Sequence, residues 1–320
     1  MRALVLTAGL GTRLQPLTLA RAKAAAPVDG EPLARRTIRW LVSQGFTDLV
    51  LNLHHRPESI TAAVGDGGDL GARVRYSWES PVLGSAGGPR HALPLLLDRG
   101  ADETFVLVNG DTLTNVDLRA MIDDHRRHGA LVTMALIPNP RPDKYGGVRL
   151  NASGAVARFT KRRAHGTPPA PSEAEGNFHF IGPQIVQAAV FAPLPDGVPR
   201  ETVLQVYPEL MASRPGSVRG FVGDWSFRDI GTPADLLETS LDLAAEGGRP
   251  DRPRWGRRAR VADSARVTRS VLWDDVEIGD GAAVHECVIA DGVRIPAGAV
   301  YRRAAIVRSG ADLIVTPLDP

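Results

Sequence analysis

A glycine-rich turn near the start of the chain has the residue types suited to phosphate chemistry. It follows the apolar run at residues 3–6 and reads Gly9-Leu10-Gly11-Thr12-Arg13. Glycines directly after a strand let backbone N–H groups approach a phosphate chain closely. The third glycine of a dinucleotide-binding fingerprint would fall on Leu14, and the Gly-Lys-Ser/Thr of a Walker loop does not follow. The turn therefore predicts a phosphate-binding loop of another kind, or a purely structural strand-to-helix connection.

The elements that must position this turn alternate between strand and helix over about the first 240 residues. The hydrophobic pattern predicts strands at 3–6, 48–53, 73–77 and 104–108, and helices at 33–44, 59–64 and 89–97. Strands separated by helices indicate βαβ units and a sheet covered by helices. We therefore predict an α/β fold with a Rossmann-like mixed sheet.

The sequence changes in character after Glu246. Residues 247–254 are rich in Gly, Pro and Arg, as in a linker. Beyond them apolar residues recur six apart, in the pairs Val261 and Val267, Ile278 and Val284, and Ile289 and Ile295. This period predicts a hexapeptide β-helix, the alternative being a turn-rich β extension. We therefore predict a first domain at 1–246 and a short left-handed parallel β-helix tail at 247–320.

Composition excludes several classes of protein. The 320 residues include 38 Lys plus Arg and 36 Asp plus Glu, a net charge of +2 that argues against nucleic-acid binding. No apolar run approaches the 18 residues typical of a membrane helix. The single cysteine, Cys287, excludes an internal disulfide and a cysteine-based zinc site. We expect a soluble cytoplasmic protein without nucleic-acid or membrane partners.

The glycine-rich turn belongs to a longer pattern. Together with Pro16-Leu17-Thr18, Lys23 and Pro27-Val28, it resembles the signature of sugar-1-phosphate nucleotidyltransferases. Three more segments resemble that family in order and spacing: Leu83-Gly84-Ser85-Ala86-Gly87, Val108-Asn109-Gly110-Asp111 and Phe227-Arg228-Asp229-Ile230-Gly231-Thr232-Pro233. The resemblance covers about residues 1–245, and a hexapeptide tail is usual in several branches of the family.

The resemblance implies a reaction of a nucleoside triphosphate with a sugar-1-phosphate that releases pyrophosphate. Arg13 would grip the leaving phosphates, Lys23 would meet the α-phosphate, and Asp111 and Asp229 would hold Mg²⁺. The residues that would bind the nucleotide are Ala8, Gly9, Gly11, Thr12, Arg13, Glu79, Gly84, Gly87 and Asp111. Either aspartate could instead serve as a turn or N-cap residue.

Two further stretches resemble the family's sugar-phosphate pocket. Gly146, in the turn Tyr145-Gly146-Gly147, and Gly182 are expected to contact the sugar. The family's Phe-x-Glu-Lys-Pro segment is replaced here by Phe159-Thr160-Lys161-Arg162-Arg163. Strand alternation lets only one of these two cations face inward. We favour Lys161 over Arg162 for the sugar phosphate, the alternative being an exposed basic strand end.

The segment that begins at Tyr76 is similar both to mannose-1-phosphate guanylyltransferases and to N-acetylmuramate-1-phosphate uridylyltransferases. The tail favours the guanylyltransferase, with GTP and mannose-1-phosphate as substrates, over a muramate or hexose uridylyltransferase. A silent regulatory subunit that binds sugar nucleotides is an alternative of another class. The tail has too few coils for an acyltransferase, so we expect it to serve in homo-oligomer assembly.

Overall fold

The computed structural model describes residues 1–98, 103–161 and 177–318. The helices are α1 (Leu33–Ser43), α2 (Pro57–Val64), α3 (Gly84–Leu96), α4 (Leu118–His128), α5 (Tyr207–Ser213) and α6 (Pro233–Glu246). The strands before α6 are β1 (Ala3–Leu6), β2 (Pro27–Val28), β3 (Glu31–Pro32), β4 (Asp48–Leu53), β5 (Arg73–Trp78), β6 (Thr104–Asn109), β7 (Thr112–Thr114), β8 (Val132–Pro138), β9 (Gly147–Leu150), β10 (Val156–Thr160), β11 (Asn177–Gln187), β12 (Val218–Val222) and β13 (Phe227–Asp229). Among the described residues, no helix is both long and apolar enough to cross a membrane.

Backbone proximity groups the chain into two compact units. The first comprises Met1–Ala8, Ile38–His54 and Gly65–Phe227, and the second comprises Gly9–Thr37, His55–Val64 and Arg228–Pro320. Each unit therefore contains segments from distant parts of the sequence. The two-domain division at residue 246 stays a prediction.

The first unit contains a mixed sheet, in which nine strands are counted within the described ranges. Along the main path the strands are ordered β10-β9-β11-β6-β1-β4-β5, while β8 pairs with β11 and β12 pairs with β8. β1 is parallel to β4 and β6, and β4 is parallel to β5, whereas β11 is antiparallel to β6. The mixed α/β fold predicted from the sequence is confirmed. The carboxyl ends of β1, β4, β5 and β6 share one edge, which is where ligands bind in such sheets.

The central strands of this sheet contain continuous apolar runs, such as residues 49–51 of β4 and 105–108 of β6. Leu4, Val50, Phe105 and Leu107 are fully buried in one core cluster, against which α3 also packs. Such continuous apolar runs are typical of parallel strands covered on both faces. The strand ends at the carboxyl edge are therefore set on a rigid base.

One helix begins earlier than the sequence suggested. The pattern predicts a helix at 89–97, but α3 begins at Gly84 and contains Pro89 and Pro94. The carbonyl of Arg200 accepts hydrogen bonds from the N–H groups of Ala86 and Gly87, at 2.9 and 3.2 Å. These long-range contacts satisfy the first turn of the helix, and local sequence carries no sign of them.

The second unit contains a parallel β-helix. Its strands are β14 (Arg260–Val261), β15 (Arg266–Thr268), β16 (Val271–Leu272), β17 (Glu277–Ile278), β18 (Ala283–His285), β19 (Val288–Ile289), β20 (Arg294–Ile295), β21 (Val300–Arg302), β22 (Ala304–Ser309) and β23 (Asp312–Pro317). They form three sheets within residues 228–318, ordered β14-β17-β20, β15-β18-β21 and β16-β19-β22-β23. The left-handed hexapeptide tail that the sequence predicted is confirmed as a fold.

The coil of this β-helix is shorter than three hexapeptides. Val261 pairs with Ile278 and Leu272 pairs with Ile289, and hydrogen-bonded partners in successive coils are 17 residues apart. Two sides keep the six-residue spacing, while the step from Val267 to Leu272 takes five residues. That step turns at Arg269, whose left-handed φ of 48° lets a single residue form the corner.

Candidate active site

The glycine turn lies in the second unit and folds back on the segment that follows it. Gly11 has a φ of 61°, and a Cβ there would lie 2.8 Å from Thr18 Cγ2 and 3.2 Å from Lys23 Cβ. The Gly11 carbonyl accepts hydrogen bonds from the Leu14 N–H at 2.9 Å and from the Thr18 hydroxyl at 3.2 Å. Only glycine combines this backbone conformation with such close approach. Lys23 is thereby held against the turn.

The side chains of Arg13, from the glycine turn, and Asp229 both lie close to Gly231. A Cβ on Gly231 would lie 2.9 Å from Arg13 Nη1 and 3.2 Å from Asp229 Oδ2. Both side chains therefore border one small space that a larger residue at 231 would fill. Arg13 and Asp229 are 216 positions apart in the printed sequence, and both are residues that the resemblance assigns to the phosphate chemistry.

Asp235, which sequence reasoning missed, also borders this space. Its Oδ2 would lie 3.1 Å from a Cβ on Gly231. It accepts hydrogen bonds from the N–H groups of Gly231 at 3.1 Å and Thr232 at 2.8 Å, and with Thr232 it forms a capping box at the start of α6. The Thr-x-x-Asp spacing before an apolar helix was the signal for this role. Asp235 thus fixes the backbone that follows Asp229.

Asp111 lies in the first unit, two residues after the end of β6. A Cβ on the preceding Gly110 would lie 2.7 Å from the Leu6 carbonyl and 2.8 Å from Thr7 Cγ2. The Gly110 N–H donates to that carbonyl at 3.0 Å, so β6 ends tightly against β1. Asp111 is half-buried and accepts a hydrogen bond from the Thr112 hydroxyl at 3.2 Å. The fold therefore presents this carboxylate at the carboxyl edge of the sheet.

The chemistry of these two aspartates suits Mg²⁺. No cluster of three or more His, Cys, Asp or Glu groups fit for a metal occurs in residues 1–98, 103–161 and 177–318. Mg²⁺ does not need one, because it is commonly bound by one or two carboxylates together with substrate phosphates and water. Asp111 and Asp229 are each a carboxylate of this kind, and their part in holding a metal stays a prediction.

Glu79 is buried, and both of its carboxylate oxygens accept hydrogen bonds from other residues of the protein. It is 5% exposed, and its Oε1 accepts from Asn52 Nδ2 at 2.7 Å while Oε2 accepts from the Leu83 N–H at 2.8 Å. Asn52 Oδ1 in turn accepts from the N–H groups of Thr7 and Ala8, at 2.6 and 3.3 Å. The pair therefore ties the end of β1, directly before the glycine turn, to the start of α3.

A reciprocal exchange tests this tie. Asn52→Asp alone sets two carboxylates face to face, and Glu79→Gln alone sets an amide against a donor. Each single variant is therefore expected to lose about 2 kcal/mol of stability. For the reaction that the resemblance implies, each is also expected to lose at least roughly tenfold in kcat/KM for the nucleotide. The double variant Asn52→Asp/Glu79→Gln restores the hydrogen bond between the two side chains with the same net charge. Denaturant unfolding and steady-state kinetics of the three variants check this. A double variant as impaired as the sum of the singles would contradict it.

The second glycine-rich segment forms the first turn of α3. A Cβ on Gly84 would lie 2.7 Å from the Arg200 carbonyl, and one on Gly87 would lie 2.6 Å from the Val198 carbonyl. Glu201 accepts from the Ser85 N–H at 3.3 Å and from its hydroxyl at 2.5 Å. The absence of a side chain at these glycines thus lets the backbone at 198–201 pack against the start of α3. Their part in nucleotide binding stays a prediction.

An aromatic cluster surrounds the turn at Gly146 in the first unit. The His179 ring stacks on Tyr145 with centroids 4.3 Å apart and meets Phe227 edge-on at 4.9 Å. His179 Nδ1 lies 3.3 Å from the Gly146 carbonyl, which can only accept, so the proton is on Nδ1. Sequence reasoning did not assign His179 a role. Its stacking on Tyr145 sets the backbone of the turn.

The remaining predicted sugar residues lie in the same unit. Gly182 has a φ of 111°, and a Cβ there would lie 3.3 Å from Asn109 Nδ2, which places it beside the end of β6. Lys161 is exposed directly after β10. Arg162, its competitor for the sugar phosphate, lies outside the described residues, so the choice between the two stays a prediction.

Burial gives His179 a measurable pH response. Burial lowers the pKa of the imidazole below the ordinary value of about 6.5, although the hydrogen bond to Gly146 acts in the opposite direction and raises the pKa. At a pH between the lowered pKa of the folded protein and the ordinary pKa of the unfolded chain, the unfolded chain binds more protons than the folded one. The stabilising contribution of His179 is therefore present above about pH 6.5 and is lost as the pH falls. The difference in unfolding free energy between the wild type and His179→Gln should therefore shrink from pH 7 to about pH 5. A difference that is constant or grows would contradict the assignment.

Known proteins resemble this chain in sequence. Residues 2–246 match the family model "Nucleotidyl transferase", and residues 245–302 match "GlmU-like, C-terminal hexapeptide". The mannose-1-phosphate guanylyltransferase of Mycobacterium tuberculosis is 31% identical over 94% of this chain and 83% of its own length. Mannose-1-phosphate guanylyltransferase 1 of Arabidopsis thaliana is 29% identical over 88% of this chain and 74% of its own.

Solved structures resemble the fold. HddC from Yersinia pseudotuberculosis superposes with a TM-score of 0.63 at 20% identity, over 76% of this chain and 99% of that one. The same protein complexed with GMP-PN gives 0.62. At this identity the likeness extends to the fold alone.

Proposed function

The chain belongs to the nucleotidyl transferase family and is a sugar-1-phosphate nucleotidyltransferase, and we propose that it transfers GMP from GTP to mannose-1-phosphate. One observation carries this choice of substrates. The similarity to the mycobacterial mannose-1-phosphate guanylyltransferase extends over 94% of the chain, so it includes the β-helix as well as the α/β fold. That extent is what favours the guanylyltransferase over the uridylyltransferase alternative.

In the proposed reaction, an oxygen of the sugar-1-phosphate attacks the α-phosphorus of the nucleotide, and pyrophosphate leaves. Two anions must meet, so positioning and charge neutralisation provide most of the catalysis. We assign Arg13 to the leaving phosphates and Lys23 to the α-phosphate. The close packing of Lys23 on Gly11 and the position of Arg13 beside Gly231 support these roles.

The backbone of the glycine turn would hold the nucleotide phosphates. Ala8, Gly9, Gly11 and Thr12 are the residues proposed for this contact. A Cβ placed on Gly9 would have no atom of the described residues within 4 Å, apart from its chain neighbours, so a ligand can approach the backbone there. Glu79 would act on the nucleotide through Asn52 and the start of α3, because both of its oxygens already accept hydrogen bonds.

Enzymes of this family generally depend on a divalent metal, and we propose Mg²⁺. Asp111 and Asp229 are the residues that would hold it. When bound, Mg²⁺ would neutralise charge on the reacting phosphates. Gly146, Gly182 and Lys161 are proposed for the sugar-phosphate side.

Three broader assignments complete the proposal. A catalytic domain at 1–246 would be followed by a tail at 247–320, through which copies of the chain would assemble. The supply of nucleoside triphosphates favours the cytoplasm as the place of the reaction. A silent regulatory subunit would be expected to lack catalytic cations or metal carboxylates, but Arg13, Lys23, Asp111 and Asp229 are all present.

Pyrophosphate release across a matrix of nucleotides and sugar-1-phosphates tests the substrates. GTP with mannose-1-phosphate and Mg²⁺ is expected to give the highest kcat/KM, and the same sugar with UTP at least roughly tenfold less. Faster release with UTP and N-acetylmuramate-1-phosphate would favour the uridylyltransferase. Absence of release with every pair would contradict the proposed activity.

A further inference from the structure

Arg21 lies between the glycine turn and Lys23, and three hydrogen bonds tie it to the β-helix of the same unit. Its Nε and Nη2 donate to the two carboxylate oxygens of Asp291, each at 2.6 Å, and Nη2 also donates to Asp274 at 2.8 Å. The guanidinium carbon is 5.7 Å from the Trp273 ring centroid, and the side chain is only 17% exposed. Bidentate pairs of this kind are strong and fix geometry, unlike exposed surface pairs.

Consecutive coils supply the two aspartates. Asp274 and Asp291 are 17 residues apart, and the Asp274 N–H donates to Asp291 Oδ1 at 3.1 Å. Asp274 also accepts from the Arg257 N–H at 2.7 Å. Burial opposes ionisation of Asp274, but the hydrogen bonds from Arg21 and Arg257 outweigh it and hold the pKa of this carboxyl below its usual value. The β-helix repeat thus places two carboxylates, one above the other, within hydrogen-bond distance of Arg21.

The clamped arginine is embedded in the segment that contacts the glycine turn. Thr18 precedes it by three residues and Lys23 follows by two, and both pack within 3.2 Å of a Cβ placed on Gly11. The Ala22 N–H also donates to Ser59 Oγ at 2.9 Å. Since both flanking contacts are on one short segment, fixing Arg21 limits how far Lys23 can move.

We propose that Asp274 and Asp291 are positioning residues for nucleotidyl transfer, which hold the segment carrying Lys23 in place through Arg21. This rests on the proposed function, in which Lys23 meets the α-phosphate. It gives the β-helix of each chain a part in catalysis, in addition to assembly. The role follows from contacts within one unit and needs no second copy of the chain.

Asp291→Asn removes one charge and one acceptor of the bidentate pair, and kcat is expected to fall about 10- to 100-fold because small displacements of a catalytic group have effects of this size. Asp275→Asn is the matched control. Asp275, the neighbour of Asp274, pairs with Arg258 at 2.6 Å within the exposed part of the tail, so this variant should keep wild-type turnover. Thermal unfolding of both variants confirms that they are folded at the assay temperature.

A second background separates positioning from general stabilisation. In Lys23→Ala, the change Asp291→Asn is expected to lower kcat by less than about threefold, because residues that act through one another are not additive. Equal losses in both backgrounds, or an Asp291→Asn variant as active as Asp275→Asn, would overturn the proposal. If Asp291→Asn does not fold, Arg21→Lys replaces it in both backgrounds. This variant keeps the positive charge but loses the bidentate geometry, and its losses of kcat are judged in the same way.

Wild-type turnover, measured first, separates the two proposals. An inactive wild type counts against the proposed function. An active wild type with an unaffected Asp291→Asn counts against the positioning role alone.

Discussion

Replacing Asp111 by asparagine is expected to lower kcat roughly 1000-fold, equivalent to about 4 kcal/mol of transition-state stabilisation. The change is nearly isosteric, so the tight approach of Gly110 to Leu6 should persist and the protein should remain folded. What is lost is a carboxylate charge at the carboxyl edge of the sheet. The Mg²⁺ concentration for half-maximal turnover should rise as well, which steady-state kinetics over a metal titration would measure.

Asp117 provides the matched control for this variant. It lies six residues further on and caps α4, its side chain accepting from the N–H groups of Arg119 and Ala120, both at 3.0 Å. Asparagine is about as good an N-cap as aspartate. Asp117→Asn should therefore leave both turnover and metal dependence near wild type. Near-wild-type turnover in Asp111→Asn would remove Asp111 from the proposed metal site.

Replacing Lys23 by arginine is expected to lower kcat roughly 100-fold although the charge is kept. Only three of the 38 basic residues are lysines, Lys23, Lys144 and Lys161, which makes the choice at this position informative. Lys23 Cβ lies 3.2 Å from a Cβ placed on Gly11, so its side chain starts at the turn itself. A wider planar guanidinium cannot place a compact charge at the same point.

Lys144→Arg is the control for the charge-preserving change. Lys144 Nζ lies 5.4 Å from the Tyr145 ring centroid, an interaction that arginine makes equally well. Its kcat should therefore stay within about threefold of wild type. A Lys23→Arg enzyme with the same kcat as Lys144→Arg would show that a positive charge suffices at position 23.

The local pattern of apolar residues predicted the strands that carry the proposed active site, because a strand buried on both faces of a sheet requires a continuous apolar run. β1, β4 and β6 begin where the sequence placed them, and Asp111 follows β6 as expected. The glycine at 11 was also predictable, since the turn after β1 needs a left-handed residue. These features depend on a few neighbouring residues only.

Features that depend on distant contacts escaped sequence reasoning. The sequence alone does not reveal that Glu79 is occupied by Asn52, 27 positions earlier, or that Arg21 pairs with Asp291, 270 positions later. The coil of 17 residues likewise depends on a left-handed corner at Arg269 that the hexapeptide pattern does not signal. Charged residues in such positions look like surface residues until the fold brings their partners to them.

The most direct test of the central claim follows the oxygen atoms of the reaction. Mannose-1-phosphate labelled with ¹⁸O in its phosphate would be incubated with GTP, Mg²⁺ and the protein, and the products analysed by mass spectrometry. Direct attack on the α-phosphorus predicts that all label appears in GDP-mannose and none in pyrophosphate. Pyrophosphate released without GDP-mannose, or label found in pyrophosphate, would contradict nucleotidyl transfer to this sugar phosphate.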